Sequence, residues 1–304
     1  MSNLTDLQHV VIGGSRSEPH LLITGGVHGD EFESMVAIRR LIAHFSDEDR
    51  GRALRGKLTL VPIVNEAAYL RGTRTAEDDL DLARVCPGSP DGSITERTAH
   101  ALSELIRTAD YYIDLHTGGT ICSVWPMTGY GLHPDLEIRE SQRVIAQAFN
   151  LPVIWATTPN LDGRSLSVAR DAGIPAIYAE YHGSGVCDPQ GVDGYYEGCL
   201  NVLGMLDMID RPAPPSRVEH VLEDHRPNSG DMGLHNQSPV DGYFEIAVQL
   251  GDRVREGDLL GTVFDPVGSE KHLIRSERTG YVLTVRTYPR VLQGDMVAVI
   301  AEAN

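Results

Sequence analysis

Short apolar segments alternate with amphipathic segments from residue 20 to residue 180, and this alternation constrains the fold most. Strands that alternate with helices predict an α/β protein with a central sheet covered by helices on both faces. Apolar runs predict strands at 20–24, 57–64, 111–115, 152–156 and 176–179. Apolar residues at helical spacing predict helices at 31–45, 95–108, 137–149 and 165–172.

The pattern changes near residue 211, where Arg-Pro-Ala-Pro-Pro-Ser forms a stiff, non-helical connector. Beyond it the helical spacing fades, and short segments such as 259–264, 280–285 and 296–300 predict strands between Gly-Asp pairs. We therefore predict an α/β domain over residues 1–212 and a small all-β domain over residues 213–304.

Charge and composition restrict the partners. The chain has 43 acidic and 26 basic side chains, a formal net charge of -17, which argues against nucleic acid and anionic membranes as partners. It has neither a signal-peptide pattern at its start nor an apolar run near the ~18 residues of a membrane span. The four cysteines lack CxxC spacing, and we expect reduced thiols and a cytoplasmic location.

Two histidines and a glutamate form a candidate metal site. His28 and Glu31 lie in Gly-Gly-Val-His-Gly-Asp-Glu, and His116 lies in Asp-Leu-His-Thr-Gly-Gly. Like Asn65 and Glu180, these residues lie just past predicted strands, where α/β sheets place their sites. Two imidazoles and one carboxylate are a ligand set of catalytic zinc. We predict one Zn²⁺ per chain; the alternative is a loop histidine, a capping glutamate and a buried structural histidine.

Two aspartates flank these positions. Asp114 lies two residues before His116 on the same side of the strand, where its carboxylate could orient the imidazole of a metal ligand. A structural salt bridge or a helix cap is the alternative for Asp114. Asp30 is predicted to be the N-cap of the helix that follows His28.

Proton transfer and substrate binding require further charged groups. Glu180 closes an apolar strand, where a carboxylate is costly to bury without a task, and it could take a proton from metal-activated water. The alternative for Glu180 is a structural ion pair. Arg71, Arg74 and Arg84 lie in a polar run that is either a solvated loop or a source of two guanidinium groups, one for the scissile carbonyl and one for a substrate carboxylate.

These residues resemble the motifs of the succinylglutamate desuccinylase/aspartoacylase family, which shares the zinc-carboxypeptidase fold. The resemblance implies that the central sheet is mixed, with helices on both faces. The resemblance covers nearly the whole chain and is greatest to the bacterial branch that contains N-acetyl-diaminobutyrate deacetylases. It is carried by His28-Gly-Asp-Glu31, Asn65, Arg74, Asp81-Leu-Ala-Arg84, Asp114-Leu-His116-Thr-Gly and Glu180.

The resemblance implies a zinc amidohydrolase that removes an acyl group from a small N-acylated amino acid. His28, Glu31 and His116 match the zinc ligands, and Glu180 matches the general base and acid. Arg74 matches the arginine that polarises the carbonyl, a role that Arg71 could also take. Arg84 matches the arginine that binds the substrate carboxylate, and Asn65 is expected to contact substrate.

One motif departs from the family, which usually has Asp-Leu-Asn-Arg where this chain has Ala83. Losing an amide hydrogen bond to a charged group costs roughly 1.5–3 kcal/mol, so the substrate is expected to lack the usual carboxylate or to hold it differently. A zinc carboxypeptidase acting on small peptides and a metal-binding, non-catalytic homologue are the alternative functions. A homo-oligomer is compatible with either.

The C-terminal segment resembles the barrel-sandwich fold of lipoyl and biotinyl domains, through its Gly-Asp turns and Gly280-Tyr-Val. Lys271 lies nine residues before Gly280, near the place of a carrier lysine, but the usual lysine hairpin motif is absent. We expect this segment to wall off part of the active-site mouth or to mediate assembly.

Overall fold

A mixed sheet occupies the centre of the computed structural model, which describes residues 7–13 and 16–302. The strands of this part of the chain are β1 (Val10–Gly13), β2 (His20–Gly25), β3 (Lys57–Val61), β4 (Tyr111–His116), β5 (Cys122–Gly131), β6 (Val153–Thr157), β7 (Ala176–Gly183), β8 (His220–Glu223), β9 (Gly242–Ile246), β10 (Arg253–Val254), β11 (Leu259–Phe264), β12 (Lys271–Arg275), β13 (Gly280–Arg286), β14 (Arg290–Val291) and β15 (Ala298–Glu302).

The helices lie in the N-terminal two thirds of the chain, before β8. They are α1 (Phe32–Phe45), α2 (Glu48–Ala53), α3 (Glu66–Arg71), α4 (Ile94–Ile106), α5 (Leu136–Phe149), α6 (Ser165–Asp171) and α7 (Pro189–Met205), with short 3-10 turns at Leu82–Arg84 and Met232–Leu234. None of these described helices is long and apolar enough to cross a membrane.

The pairing pattern makes the sheet mixed, as predicted. Strand β2 lies between β3 and β4, and β4 continues to β7, all in parallel. Strand β5 then pairs antiparallel with β7 and parallel with β6. The carboxyl ends of β2, β4 and β7 therefore meet at one edge of the sheet, where α/β proteins place their sites.

Helices cover both faces of this sheet, which explains why β2 is buried along its whole length. Leu21 and Leu22 point to opposite faces because strand side chains alternate. Leu21 belongs to a core with residues of α1, α5 and α7, whereas Leu22 belongs to a core with residues of α4 and α6. The predicted strands and helices up to residue 180 are present. The elements β1, α2, α3 and β5 in this region, and α7 beyond it, are additional.

The C-terminal region joins the same sheet. Strand β8 pairs with β6, and β13 pairs with β5, so strands on both sides of the predicted boundary at 212/213 belong to one sheet. Strands β10 and β15 pair with β13 in this large sheet, whereas β9, β11, β12 and β14 form a second, smaller sheet. The two-domain division, the barrel-sandwich fold and any carrier role of Lys271, which is exposed at the start of β12, stay predictions.

Candidate metal centre

Three polar side chains meet at the carboxyl edge of the sheet. His28 lies in the turn after β2, Glu31 lies directly before α1, and His116 is the last residue of β4. A Cβ atom at Gly29 would overlap the backbone of Ala68 in α3, so the turn that carries His28 requires glycine there. The neighbouring parallel strands thus bring His116 to Glu31 across 85 residues of chain.

The donor atoms of these residues converge. One atom from each of His28, Glu31 and His116 lies within 4.8 Å of the others. The Nδ1 atom of His28 is 2.7 Å from Glu31 Oε1, and the Nδ1 atom of His116 is 3.0 Å from Glu31 Oε2. The Glu31 carboxylate is buried between the two rings, with 1% of its side chain exposed. The structure therefore places the three predicted ligands together.

A second carboxylate stands behind each imidazole. Asp81 Oδ1 is 3.0 Å from His28 Nε2, and Asp114 Oδ2 is 3.1 Å from His116 Nε2. Each imidazole therefore contacts a carboxylate oxygen through both of its nitrogen atoms, whereas a neutral ring carries a proton on only one of them. A lone pair and a carboxylate oxygen are both acceptors, so their approach requires a proton or a cation between them. The predicted orienting role of Asp114 agrees with this contact.

The pKa shifts of Glu31 and His116 also indicate that positive charge is required between these side chains. Burial opposes ionisation of Glu31, but the His28 and His116 imidazoles hold its pKa below the ordinary range. Burial lowers the pKa of His116, yet the Asp114 and Glu31 carboxylates raise it well above its usual value overall. Buried carboxylates this close together are stable only when cations compensate them.

The prediction that Asp30 caps α1 was wrong. Glu31 directly precedes the helix, and no side chain caps it. Asp30 turns instead toward the loop after β4, where its carboxylate accepts hydrogen bonds from the backbone and hydroxyl of Thr120. This contact ties the turn that carries His28 to the loop that follows His116.

Glu180 lies beside the three converging residues. It is the register partner of His116 in β7, a strand that continues to Gly183 rather than ending before Glu180 as predicted. Its Oε2 atom is buried without a hydrogen-bond partner among the described residues. Burial, supported by the nearby Glu31 charge and opposed by His116, raises the pKa of Glu180 to about 7. A carboxyl group with this pKa can accept and return a proton at neutral pH.

Arg74 also reaches this cluster. Its Nη2 atom is 3.0 Å from Asp81 Oδ2, and its Nη1 atom is 3.8 Å from Glu31 Oε1. The Asp81 carboxylate therefore contacts both Arg74 and His28. This arrangement holds a guanidinium group at the edge of the candidate metal centre.

A cavity of about 420 Å³ adjoins the candidate centre. Glu180, Arg74, Ala83 and Arg84 line it, together with His28, Glu31 and His116. Part of its wall comes from the C-terminal region, as the sequence suggested: Gly230, Met232, Gly233, Thr284, Arg286 and Met296.

Two residues expected to contact substrate do not line this cavity. Asn65 accepts a hydrogen bond from the backbone of Ala68 at 3.1 Å, so its side chain is the N-cap of α3. Arg71, in the last turn of α3, donates to the carbonyl of Ala76 and lies 3.4 Å from Asp79. The Nδ2 atom of Asn65 is buried without a hydrogen-bond partner among the described residues. The predicted contact of Asn65 and Arg71 with substrate stays a prediction.

Arg164 lines the cavity although the sequence did not single it out. It lies between β6 and α6, directly before the helix. Burial and the repulsion of Arg84 lower the pKa of its guanidinium. The rule that sites lie beyond the carboxyl ends of strands could have indicated Arg164, because it follows β6.

Comparison with known proteins gives the family. Residues 17–206 match the succinylglutamate desuccinylase/aspartoacylase catalytic domain. The chain is 32% identical to the N-alpha-acetyl-L-2,4-diaminobutyric acid deacetylase of Halomonas elongata over 292 residues, which is 93% of this chain and 82% of that protein.

Solved structures agree with this match. The product-bound ectoine utilization protein EutE (DoeB) of Ruegeria pomeroyi superposes with a TM-score of 0.87 and 28% identity, over 97% of this chain and 88% of that one. A succinylglutamate desuccinylase/aspartoacylase of Rhodobacter sphaeroides gives 0.85 and 28%, over 97% and 89%. The chain therefore belongs to the succinylglutamate desuccinylase/aspartoacylase family.

Proposed function

We propose that this chain is a zinc-dependent hydrolase that removes a short acyl group from an N-acylated amino acid. His28, Glu31 and His116 would hold one Zn²⁺ through their facing Nδ1 and carboxylate oxygen atoms. The observation that supports this most is that both imidazoles contact carboxylates through both nitrogen atoms: Asp81 or Asp114 lies at Nε2 and the buried Glu31 lies at Nδ1, so a second proton or a cation is required between Nδ1 and Glu31. This donor set suits a dication.

The residues around the centre suit amide hydrolysis. When bound, zinc lowers the pKa of water and polarises a carbonyl group. Glu180 takes the proton of the attacking water and returns it to the leaving amine nitrogen, for which a pKa of about 7 is appropriate. Arg74 donates N–H groups to the oxygen that gains negative charge as the carbonyl is attacked.

The substrate would be a small N-acyl amino acid, most simply an N-acetyl derivative as in the name of the Halomonas elongata relative. Arg84 would bind the substrate carboxylate through its guanidinium group. Ala83 lines the cavity and offers no side-chain amide, but Arg164 lies near Arg84 and supplies a second guanidinium group. The carboxylate would then be held differently from the usual asparagine–arginine pair.

A substrate panel tests this proposal. We expect the zinc-loaded chain to release free amine from N-acetyl amino acids faster than from N-succinyl or N-formyl amino acids or from dipeptides. Faster cleavage of dipeptides would favour the carboxypeptidase alternative. Absence of both bound metal and amide hydrolysis after zinc addition would favour a non-catalytic homologue.

Metal binding should depend on pH in a defined direction. His116 must be unprotonated at Nδ1 to bind a metal, and its pKa in the metal-free chain is raised well above the usual value. Protons therefore compete with the metal below that raised pKa. If metal binding displaces one proton, the affinity for the metal should fall about tenfold for each unit by which the pH is lowered. Chelator competition at several pH values measures this slope, and a pH-independent affinity would contradict the assignment of His116.

The remaining expectations from the sequence stay predictions. They are the cytoplasmic location, the absence of nucleic-acid and membrane partners and the homo-oligomer. A small N-acyl amino acid is the partner that the cavity and the family support. Light scattering of the purified chain would give its oligomeric state.

A further inference from the structure

The arginines that line the cavity differ in how their charge is balanced. Most of them have a carboxylate oxygen within hydrogen-bonding distance, which compensates the guanidinium charge locally. The compensated pairs are Arg74 with Asp81 at 3.0 Å, Arg170 with Asp162 at 2.8 Å and Arg286 with Asp295 at 2.9 Å.

Arg84 and Arg164 are the exceptions in the described part of the chain. Asp81 also acts on both guanidinium groups, but its carboxylate is already paired with Arg74 and His28. The nearest carboxylate to either guanidinium group is Asp231, whose Oδ1 atom is 3.9 Å from Arg84 Nη2 and 3.7 Å from Arg164 Nη2. Both distances exceed those of a hydrogen bond. Two positive charges therefore share one negative charge, which leaves one positive charge for a substrate carboxylate.

Burial increases the cost of this imbalance. The Arg164 side chain is 20% exposed, and burial together with Arg84 lowers its pKa. A second carboxylate between the two guanidinium groups would relieve their repulsion, and the α-carboxylate of an N-acyl amino acid has the required charge. The pair thus suits a single carboxylate.

Asp231 lies at the edge of the same cavity. Its chain neighbours Gly230 and Met232 line the wall, and its own side chain is 29% exposed. The hydroxyl of Ser229 accepts a hydrogen bond from the backbone of Thr158 at 2.8 Å, which anchors this loop to the end of β6. An anion is therefore fixed beside the proposed carboxylate anchor.

We propose that Asp231 determines which amino-acid side chain the site accepts, a statement that rests on the proposed function. With the α-carboxylate bound to Arg84 and Arg164, a cationic side chain is attracted to Asp231, whereas a second carboxylate is repelled by it. Substrates with one carboxylate and one ammonium group are preferred over dicarboxylates. Like charges placed side by side are a common source of specificity.

Steady-state kinetics with three substrates tests this proposal. N-acetyl-L-2,4-diaminobutyrate carries an ammonium group, N-acetyl-L-norvaline is its neutral counterpart of equal length, and N-acetyl-L-aspartate carries a second carboxylate. We expect Asp231→Asn to shift the ratio of kcat/KM for the diaminobutyrate over the aspartate derivative about tenfold toward aspartate, with norvaline least affected, as for one partly exposed charge interaction.

The control variant is Asp193→Asn, which removes the same charge outside the cavity lining from an exposed pair with Arg40. It should leave the ratio unchanged. Asp231→Ala provides a second neutral side chain and should reproduce the shift, with thermal unfolding as the check on folding.

The possible failures are distinguishable. An equal loss for all three substrates would mean that Asp231 only holds the arginines in place, and an unchanged ratio would mean that it does not sense the side chain; either result overturns the inference while leaving the hydrolase function intact. A wild-type chain that hydrolyses none of the substrates would overturn the proposed function and this inference together.

Discussion

Replacing Glu180 with glutamine should lower kcat by about two to four orders of magnitude while the chain keeps its metal. Glutamine has nearly the same shape as glutamate but cannot accept and return a proton. Glu180 is not one of the three converging donors, so metal content should stay near that of the parent. Single-turnover hydrolysis of an N-acetyl amino acid, combined with elemental analysis, measures both quantities.

A matched control is available within the chain. Glu33 is fully buried, and burial raises its pKa to about 7 as for Glu180, but it does not line the cavity. Its Oε1 atom accepts a hydrogen bond from the backbone of Asp188 at 3.0 Å, which a glutamine can preserve. Glu33→Gln should keep parental turnover. Parental turnover in Glu180→Gln would refute the assignment of the proton carrier.

The candidate metal centre could be predicted because its signals are local. His28 and Glu31 share one turn, and His116 follows an apolar strand, so general rules for α/β sheets were enough to group them. What the sequence could not give is the pairing of each imidazole. The contact between Asp81 and His28 joins residues that are 53 positions apart in the chain, and no spacing pattern in the sequence predicts it.

Two major elements escaped prediction for reasons visible in the structure. Helix α7 contains several glycines, which lower helical propensity, yet the helix needs them for close packing. A Cβ atom at Gly198 would lie against the ring of Phe149, and one at Gly191 against Tyr181. Strand β5 contains Pro126 within its run, and the register shifts between Val124 and Met127 beside that proline.

Substrate contacts were the least predictable part. Asn65 and Arg71 looked suitable by position, but each is engaged in or near α3. Arg164 and Asp231 come from segments far apart in sequence, and their proximity depends on how the C-terminal region packs against the cavity. Residue type and spacing predict well which side chains lie at the carboxyl edge of a sheet. They do not predict which residues of a distant segment line the cavity wall.

Replacing Glu31 with glutamine should remove the metal. The carboxylate is the only one of the three donors that carries a formal negative charge, and it lies between both imidazoles. Loss of a carboxylate behind a ligand costs roughly 10–100-fold in metal affinity, and loss of a ligand itself should cost more. Turnover should fall with the metal content, in contrast to Glu180→Gln, where turnover falls and the metal stays.

Asp30→Asn is the matched control for this variant. Asp30 is adjacent in sequence and also buried, but its carboxylate accepts hydrogen bonds from Thr120 and is not one of the converging donors. Chelator competition should therefore give near-parental affinity for Asp30→Asn and a large loss for Glu31→Gln. If Glu31→Gln bound zinc as tightly as the parent, the ligand set would be refuted, because a buried neutral amide cannot replace the charge that balances a dication there.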